Sequence, residues 1–398
     1  MTRANITLPF SLPEAYRTLK EKVRDLAERC IAPRATEIDK LEEYPEDIYQ
    51  LLKEHGILGI YLPEEFGGGG MGALGACVAI EEIARHCSNS PLFLSIPFLA
   101  TRAIEIAGSP GQKKSLLSGI ASGEMRASFS TTEPQAGSDI AAMKTYALPD
   151  GDSWVISGQK SYCTGSPQAD FIVLAARTCP DGKAGRLRSS GELRNISLFI
   201  IPKGTPGLTV GPPERKMGMR GIPTCSLFLK NCHIPGKNLI ANSGEGFKAT
   251  MLTFNSARPG IGARGVGLAQ GCLDYALGYA KEREAFGVPI VQHQAVQFMI
   301  ADMFLDTEAA RLLVHRAAAL VDVGRFGKED AHFISAAKCY ASDTAMKSAV
   351  DGIQILGGTG YMKDHPLERF MRDAKQLQII EGTNQIQRSL IARNLLDL

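Results

Sequence analysis

The chain of 398 residues is long enough for two or three domains around a large core. Hydrophobic residues make up 44% and charged residues 22%, and 44 Lys plus Arg against 42 Asp plus Glu leave a net charge of +2. That balance gives no footing for nucleic acid or an anionic membrane as partner. Nine cysteines without a C-x-x-C spacing argue against a disulfide framework, and seven histidines without H-E-x-x-H against a metal site. No apolar run has the length to enter and cross a bilayer, so no membrane insertion is expected. The expected location is a reducing one, the cytoplasm or an organelle matrix.

In chain order, three zones follow. Residues 1–125 read as helical. Pro13 stands at a first helical position ahead of LPEAYRTLKEKVRDLAERCIAP, where apolar residues recur every three or four positions. EDIYQLLKEHG is a second helix, with Gly56 as its stop. Further helical patterns cover roughly 73–87 and 110–121. Residues 126–240 change character. RASFST, SWVISGQKSYC, DFIVLAAR, ISLFIIP and CSLFLKNC are short, rich in β-branched and aromatic residues, and separated by turn formers. They predict a small antiparallel β domain, with a polar, basic loop from Thr178 to Asn195. Residues 241–398 turn helical again, with amphipathic stretches at 247–282, 291–323 and 328–356. A glycine-rich break, LGGTGYM, then precedes a closing helix, NQIQRSLIARNLLDL. Helices, then strands, then helices is an α+β order that excludes a doubly wound nucleotide fold.

Two G-x-G-x-x-G matches therefore read as coincidences. Gly67, Gly69 and Gly72 lie in a loop between helical patterns. Gly260, Gly262 and Gly265 lie inside one, where small residues let another helix approach. Neither has the preceding strand that the dinucleotide fingerprint needs.

Six segments carry a resemblance over nearly the whole chain. They are FSTTEPQAGSD (129–139), GQKSYCTG (158–165), KMGMRGIPTC (216–225), AKEREAFGVPIVQHQAVQ (280–297), QILGGTGYMKDHPLERFMRDAK (354–375) and IIEGTNQIQR (379–388). In order and spacing they resemble the acyl-CoA dehydrogenase family. The resemblance implies an N-terminal helical domain, a middle β domain and a C-terminal helical bundle. It also implies FAD as cofactor, an acyl-CoA substrate, electron-transfer flavoprotein as electron acceptor, and a homodimer or homotetramer.

The chemistry so implied makes physical demands. The α proton beside a thioester is weakly acidic, so a base must sit next to it and the carbonyl oxygen must be stabilised as enolate character develops. By resemblance Glu381 is that base, and its own N–H donates to the carbonyl oxygen. From the local sequence alone, E-G-T-N reads equally as a helix start with Glu381 in a capping role. Some relatives carry the base on another helix just before an Arg. Here that position is Ala257, in FNSARPG, which leaves Glu381 as the base.

The same resemblance assigns Thr132 and Thr164 to the isoalloxazine ring, and Tyr162 to an aromatic face against it where many relatives have Trp. Arg283, Phe286, Gln294, Gln354, Gly357 and Gly358 match residues that hold the pyrophosphate and adenosine across a subunit boundary. Thr383 and Gln385 match further FAD contacts. Ser138, Asn255, Arg258 and Gly382 match the substrate side, Asn255 standing where Asp is usual. Each has a plainer reading: Ser138 as a turn residue, Arg283 as a solvated helix charge, and Gly357 and Gly358 as a helix C-cap. Phe93 and Phe98, in SNSPLFLSIPFLA (88–100), fit either the acyl pocket floor or the core. The alternatives within the fold are a dehydrogenase of carrier-protein-bound acyl groups and an oxidase. A flavin-bearing nucleic-acid binder would need a strongly basic surface.

Overall fold

A computed structural model of the chain describes residues 11–178 and 195–397. The expected loop over Thr178–Asn195 falls, apart from its two ends, outside the described residues. In α1 (Glu14–Leu26), Leu19, Val23 and Leu26 form one buried stripe. Pro13 stands one position before the helix rather than in its first turn, and its carbonyl accepts from the N–H groups of Tyr16 and Arg17. α2 (Ala35–Leu41) and α3 (Glu46–Glu54) follow, and the chain leaves α3 through Gly56 at φ +68. α4 (Gly72–Ala84) is buried almost all round. Pro97 hides α5 (Leu92–Ala107) from a pattern reading, yet the helix runs through it. Two short turns of helix, α6 (Pro110–Gln112) and α7 (Ser118–Ala121), complete this part behind a capping box at Ser109.

β1 (Ala127–Ser130), β2 (Tyr146–Asp150), β3 (Ser153–Thr164), β4 (Phe171–Thr178), β5 (Ile196–Pro202), β6 (Leu208–Pro213), β7 (Thr224–Pro235) and β8 (Leu239–Ile240) form one eight-stranded sheet. The expected strands are β1, β3, β4, β5 and β7; the others add to them. A purely antiparallel reading needs correction. β1 and β2 pair parallel with β4, one after the other along the same edge, at Phe171–Leu174 and Arg177–Thr178. Residue pattern marks a strand but not its direction, which depends on how the chain returns.

The C-terminal helices are α8 (Gly246–Glu282), α9 (Gln294–Asp322), α10 (Ala331–Leu356), α11 (Leu367–Leu377) and α12 (Asn384–Leu395). α8 is the spine, with α4, α5, α9 and α10 packed along it. Its glycines make that packing possible. A Cβ on Gly265 would stand 2.7 Å from the carbonyl oxygen of Ala341, and one on Gly267 2.2 Å from that of Glu81. The second G-x-G-x-x-G match is thus a helix-packing surface; of the first, Gly67 and Gly69 lie in the expected loop and Gly72 opens α4. Gly262 faces Ala337, Gly265 faces Ala341 and Gly352 faces Cys272, so α8 and α10 run in the same direction. Gly265→Val is expected to lower stability by about 1–3 kcal/mol, because backbone rather than a flexible side chain must yield. Gly278→Ala, with open space around it, is expected to gain up to about 1 kcal/mol of helix propensity. Urea unfolding midpoints compare the two. Among the described residues no helix is long and apolar enough to cross a membrane.

Candidate active site

Between α11 and α12 the chain makes a tight turn through Ile379–Thr383. Glu381 sits there at φ +50 and Gly382 at φ +93. A left-handed non-glycine residue is strained, and such strain persists only where surroundings over-determine it. Here they do. The Glu381 carbonyl accepts from Arg258 Nε and Gln387 Nε2, both at 3.3 Å. The Gly382 carbonyl accepts from Lys338 Nζ and Gln387 Nε2, both at 2.9 Å. A Cβ on Gly382 would meet Gln387 Nε2 at 2.5 Å, so the turn requires glycine. Capping of α12 falls to Thr383, whose hydroxyl accepts from the N–H of Ile386. Glu381 is therefore not the cap.

What remains free on Glu381 is the chemistry. Its Oε2 is shut from solvent and has no hydrogen-bond partner among the described residues. Its N–H likewise donates to no carbonyl among them. Burial pushes the carboxyl up to about 7, against the pull of Arg258, Arg264 and Lys338. The same burial pushes Arg258 down to about 10 and Lys338 down to about 8, with Glu381 resisting in both cases. A carboxylate titrating near neutrality, beside a free N–H, has the chemistry to serve as a general base next to an oxyanion donor.

The TTEP turn ahead of β2 is built on a buried ion pair. Lys160 Nζ reaches Glu133 Oε1 at 2.7 Å and the Thr131 carbonyl at 3.1 Å. The Glu133 carboxylate also takes the N–H groups of Lys144 and Thr145. Lys160 and Glu133 are almost wholly buried, so removing either would strand a charge. The pair fixes Thr132, whose carbonyl accepts from the Ser161 N–H at 2.8 Å. Between Lys160 and Cys163 the β3–β7 register slips. There Tyr162, at φ +57, turns its ring outward and is 67% exposed. Thr164 shares a 3.1 Å hydroxyl contact with Thr224, and Ser138 is exposed on the same turn region. Phe129 of β1 packs edge-on against Phe254 of α8 at 5.8 Å, which brings this face of the sheet to the helix that carries Arg258. Asn255 Oδ1 accepts from Arg258 Nη1 at 2.6 Å, and Asn255 Nδ2 donates to the Phe326 carbonyl. Both lie beneath the Glu381 turn.

The other assigned residues lie elsewhere. Phe286, at φ +54 and 96% exposed, tips a two-stranded hairpin just after α8. Arg283 and Gln294 are exposed on either side of it, and Gln354, Gly357 and Gly358 are exposed at the end of α10. Gly357 takes φ 62 and ψ −140, open to glycine alone. Because α8 and α10 are parallel, these residues share one end of the bundle. Arg258 and Arg283 are separated by a run of helix that, at about 1.5 Å per residue, spans roughly 36 Å. The chain does not bring this patch to its own Glu381. Thr383 and Gln385 belong with Glu381, with Gln385 exposed.

Phe93 stacks on Tyr44 and Tyr49 in the N-terminal core. Phe98 instead borders a cavity of about 10 Å³ shared with Cys77, Ser95, Ser256, Ala257 and Gly260. Sequence reasoning missed the donors that hold the turn, Lys338, Gln387 and Asn384, and the fully buried Arg264.

Comparison with known proteins agrees in extent. Family models for the N-terminal, middle and C-terminal domains of acyl-CoA dehydrogenase match residues 13–124, 128–232 and 244–396. A probable acyl-CoA dehydrogenase, FadE25, of Mycobacterium tuberculosis is 44% identical over 388 residues, 97% of each chain. The structure of butyryl-CoA dehydrogenase from Megasphaera elsdenii aligns with a TM-score of 0.91 at 34% identity, covering 98% of this chain and 100% of that one. That of a glutaryl-CoA dehydrogenase from Mycobacterium smegmatis in complex with FADH2 aligns with a TM-score of 0.88 at 26% identity, covering 97% and 96%.

Proposed function

The chain belongs to the acyl-CoA dehydrogenase family, and from that premise we propose that it oxidises an acyl-CoA to the enoyl-CoA with Glu381 as the base. The observation that carries the reading is the half-buried Glu381, its Oε2 shut from solvent and unpartnered beside its own free N–H. The carboxylate takes the α proton while the N–H donates to the thioester carbonyl oxygen and stabilises the developing enolate. FAD, when bound, supplies the acceptor for the hydride that leaves the β carbon. Thr132, Thr164 and the outward ring of Tyr162 fit one face of its ring system. Thr383 and Gln385 lie beside the base. Arg283, Phe286, Gln294, Gln354, Gly357 and Gly358 fit an anionic dinucleotide end, with a glycine turn open to close approach of a phosphate. Arg258 and Asn255 hold the Glu381 turn from below, Gly382 shapes it, and Ser138 is available to the thioester's carrier.

Two sets of flavin residues at opposite ends of α8 support a cofactor shared between chains, and so a dimer or a pair of dimers. Phe298, Phe304, Leu305 and Leu312 of α9 are exposed, as are Tyr340 and Val350 of α10, an apolar face suited to another copy. Electron-transfer flavoprotein is the proposed electron acceptor.

The test is anaerobic. Purified protein is expected to be yellow with non-covalent FAD, and one member of a panel of straight, branched, cyclic and aromatic acyl-CoAs is expected to bleach it. A folded protein that takes up no FAD sinks the reading. Bleaching by an acyl carrier protein thioester alone, or rapid peroxide formation in air, would transfer it to the carrier-protein or oxidase branch.

A further inference from the structure

We propose that Lys338 is a positioning residue for proton abstraction: its buried ammonium clamps the turn that presents Glu381 and fixes a positive charge behind the carboxylate. The inference rests on the proposed role of Glu381.

Lys338 is fully buried in α10, a rare condition for lysine that calls for a reason. Its Nζ straddles Thr383, donating to the Gly382 carbonyl and to Asn384 Oδ1, both at 2.9 Å. Hydrogen bonding alone does not require it. The Gly382 carbonyl already accepts from Gln387 Nε2 at 2.9 Å. Asn384 Oδ1 depends more on Lys338, because the Ser342 hydroxyl, with a single hydrogen to give, lies closer to the Lys338 carbonyl, at 2.8 Å, than to Asn384 Oδ1, at 3.2 Å. A neutral donor could still serve that oxygen, so what lysine adds beyond a neutral donor is charge.

The surrounding charges direct that effect to Glu381. Glu381 is faced by Arg258 and Arg264 from α8 and by Lys338 from α10. Lys338 is faced by Glu381, by Arg258, and by Cys339 and Asp343 of its own helix. Asp343 is matched by Arg388 at 2.6 Å and also accepts from Gln378 and Asn384. Arg264 divides its influence between Glu381 and Asp373. Glu381 is thus the opposite charge that Lys338 shares with Arg258. Below its own midpoint of about 8 Lys338 is a cation and favours the ionised base, so burial makes Glu381 a stronger base than a solvated carboxylate without keeping it wholly protonated at neutral pH.

The sign of the effect follows. Proton abstraction needs ionised Glu381, so the rate rises with pH through the Glu381 midpoint. In Lys338→Met the midpoint is expected to move up by about one unit or more. Because the wild-type midpoint lies at about 7, a one-unit rise cuts flavin reduction at pH 7 by about fivefold, with recovery at higher pH and substrate affinity little changed. Gln387→Leu frees the Glu381 and Gly382 carbonyls, the second of them shared with Lys338, without touching charge, and is expected to slow the reaction at all pH values with the midpoint unmoved. Should Lys338→Met fail to fold, Lys338→Gln keeps a donor and loses only the charge. The second readout needs no turnover. The protonated-carboxyl stretch of Glu381, identified by its loss in Glu381→Gln, is titrated by infrared spectroscopy in wild type and variant without substrate. A midpoint that stays put in both charge-removing variants, or that moves equally in Gln387→Leu, overturns the inference alone. A wild-type pH limb that survives Glu381→Gln removes the proposed base and the inference together.

Discussion

Glu381→Gln is expected to leave the protein folded and flavin-bound while slowing flavin reduction by about 10²–10⁴-fold, the usual weight of a general base. The structure explains why the loss should be confined to chemistry. None of the bonds that hold the turn involves the carboxylate: Arg258, Gln387 and Lys338 all grip backbone carbonyls. Gln has nearly the same volume and keeps the N–H that faces the thioester oxygen. No second base stands ready. Ala257, at the position where the resemblance implies that some relatives carry the base, has no carboxylate to offer. Asp373, pushed up to about 6 by burial, is tied by Oδ1 to the Met219 N–H at 2.6 Å behind Arg264. In wild type the rate should climb as pH rises through about 7, where the buried carboxyl ionises; in the variant that limb should vanish. Stopped-flow reduction across pH with a substrate from the panel measures both. A variant that reduces its flavin at the wild-type rate is incompatible with Glu381 as the base.

Residues with a local physical signature were readable from the sequence. Gly56 ends α3 because only a residue tolerant of positive φ suits that exit. Gly260, Gly262 and Gly265 could be read as helix packing, and α4 and α10 do lie against them. The strands most legible were β3, β4, β5 and β7, where β-branched, aromatic and other apolar residues gather between turn formers. β2, with Pro149 and Asp150 at its end, and β6, with Gly211, Pro212 and Pro213, carry the turn residues that normally deny a strand. Parallel pairing to β4 depends on the path of the whole chain and left no local trace. The site divides in the same way. Glu381, Thr132 and Tyr162 sit in recognisable motifs. Lys338, Arg264 and Gln387 are polar residues in helices, and a polar residue in a helix reads as a solvated face until tertiary packing buries it.

A hybrid of two inactive chains is expected to regain activity. Arg258, beneath the Glu381 turn, and Arg283, beside the hairpin tipped by Phe286, are roughly 36 Å apart along α8 at about 1.5 Å per residue. If Arg283 holds the phosphate end of the flavin whose ring meets Glu381, the two must come from different chains. Arg283→Glu, an exposed substitution that should leave the fold intact, is expected to abolish flavin retention when present in every chain. Glu381→Gln retains flavin and is inactive. Co-expressed with different affinity tags, the two form a hybrid dimer that sequential purification isolates. One of its sites combines Glu381→Gln with Arg283→Glu and is dead. The other combines native Glu381 of one chain with native Arg283 of its partner, so the hybrid should work at about half the wild-type rate per dimer, by two-fold symmetry. If each chain completes its own site, both sites of the hybrid carry one defect and no activity returns. A hybrid no faster than its parents therefore rejects the shared site, and with it the dimer as the unit of catalysis.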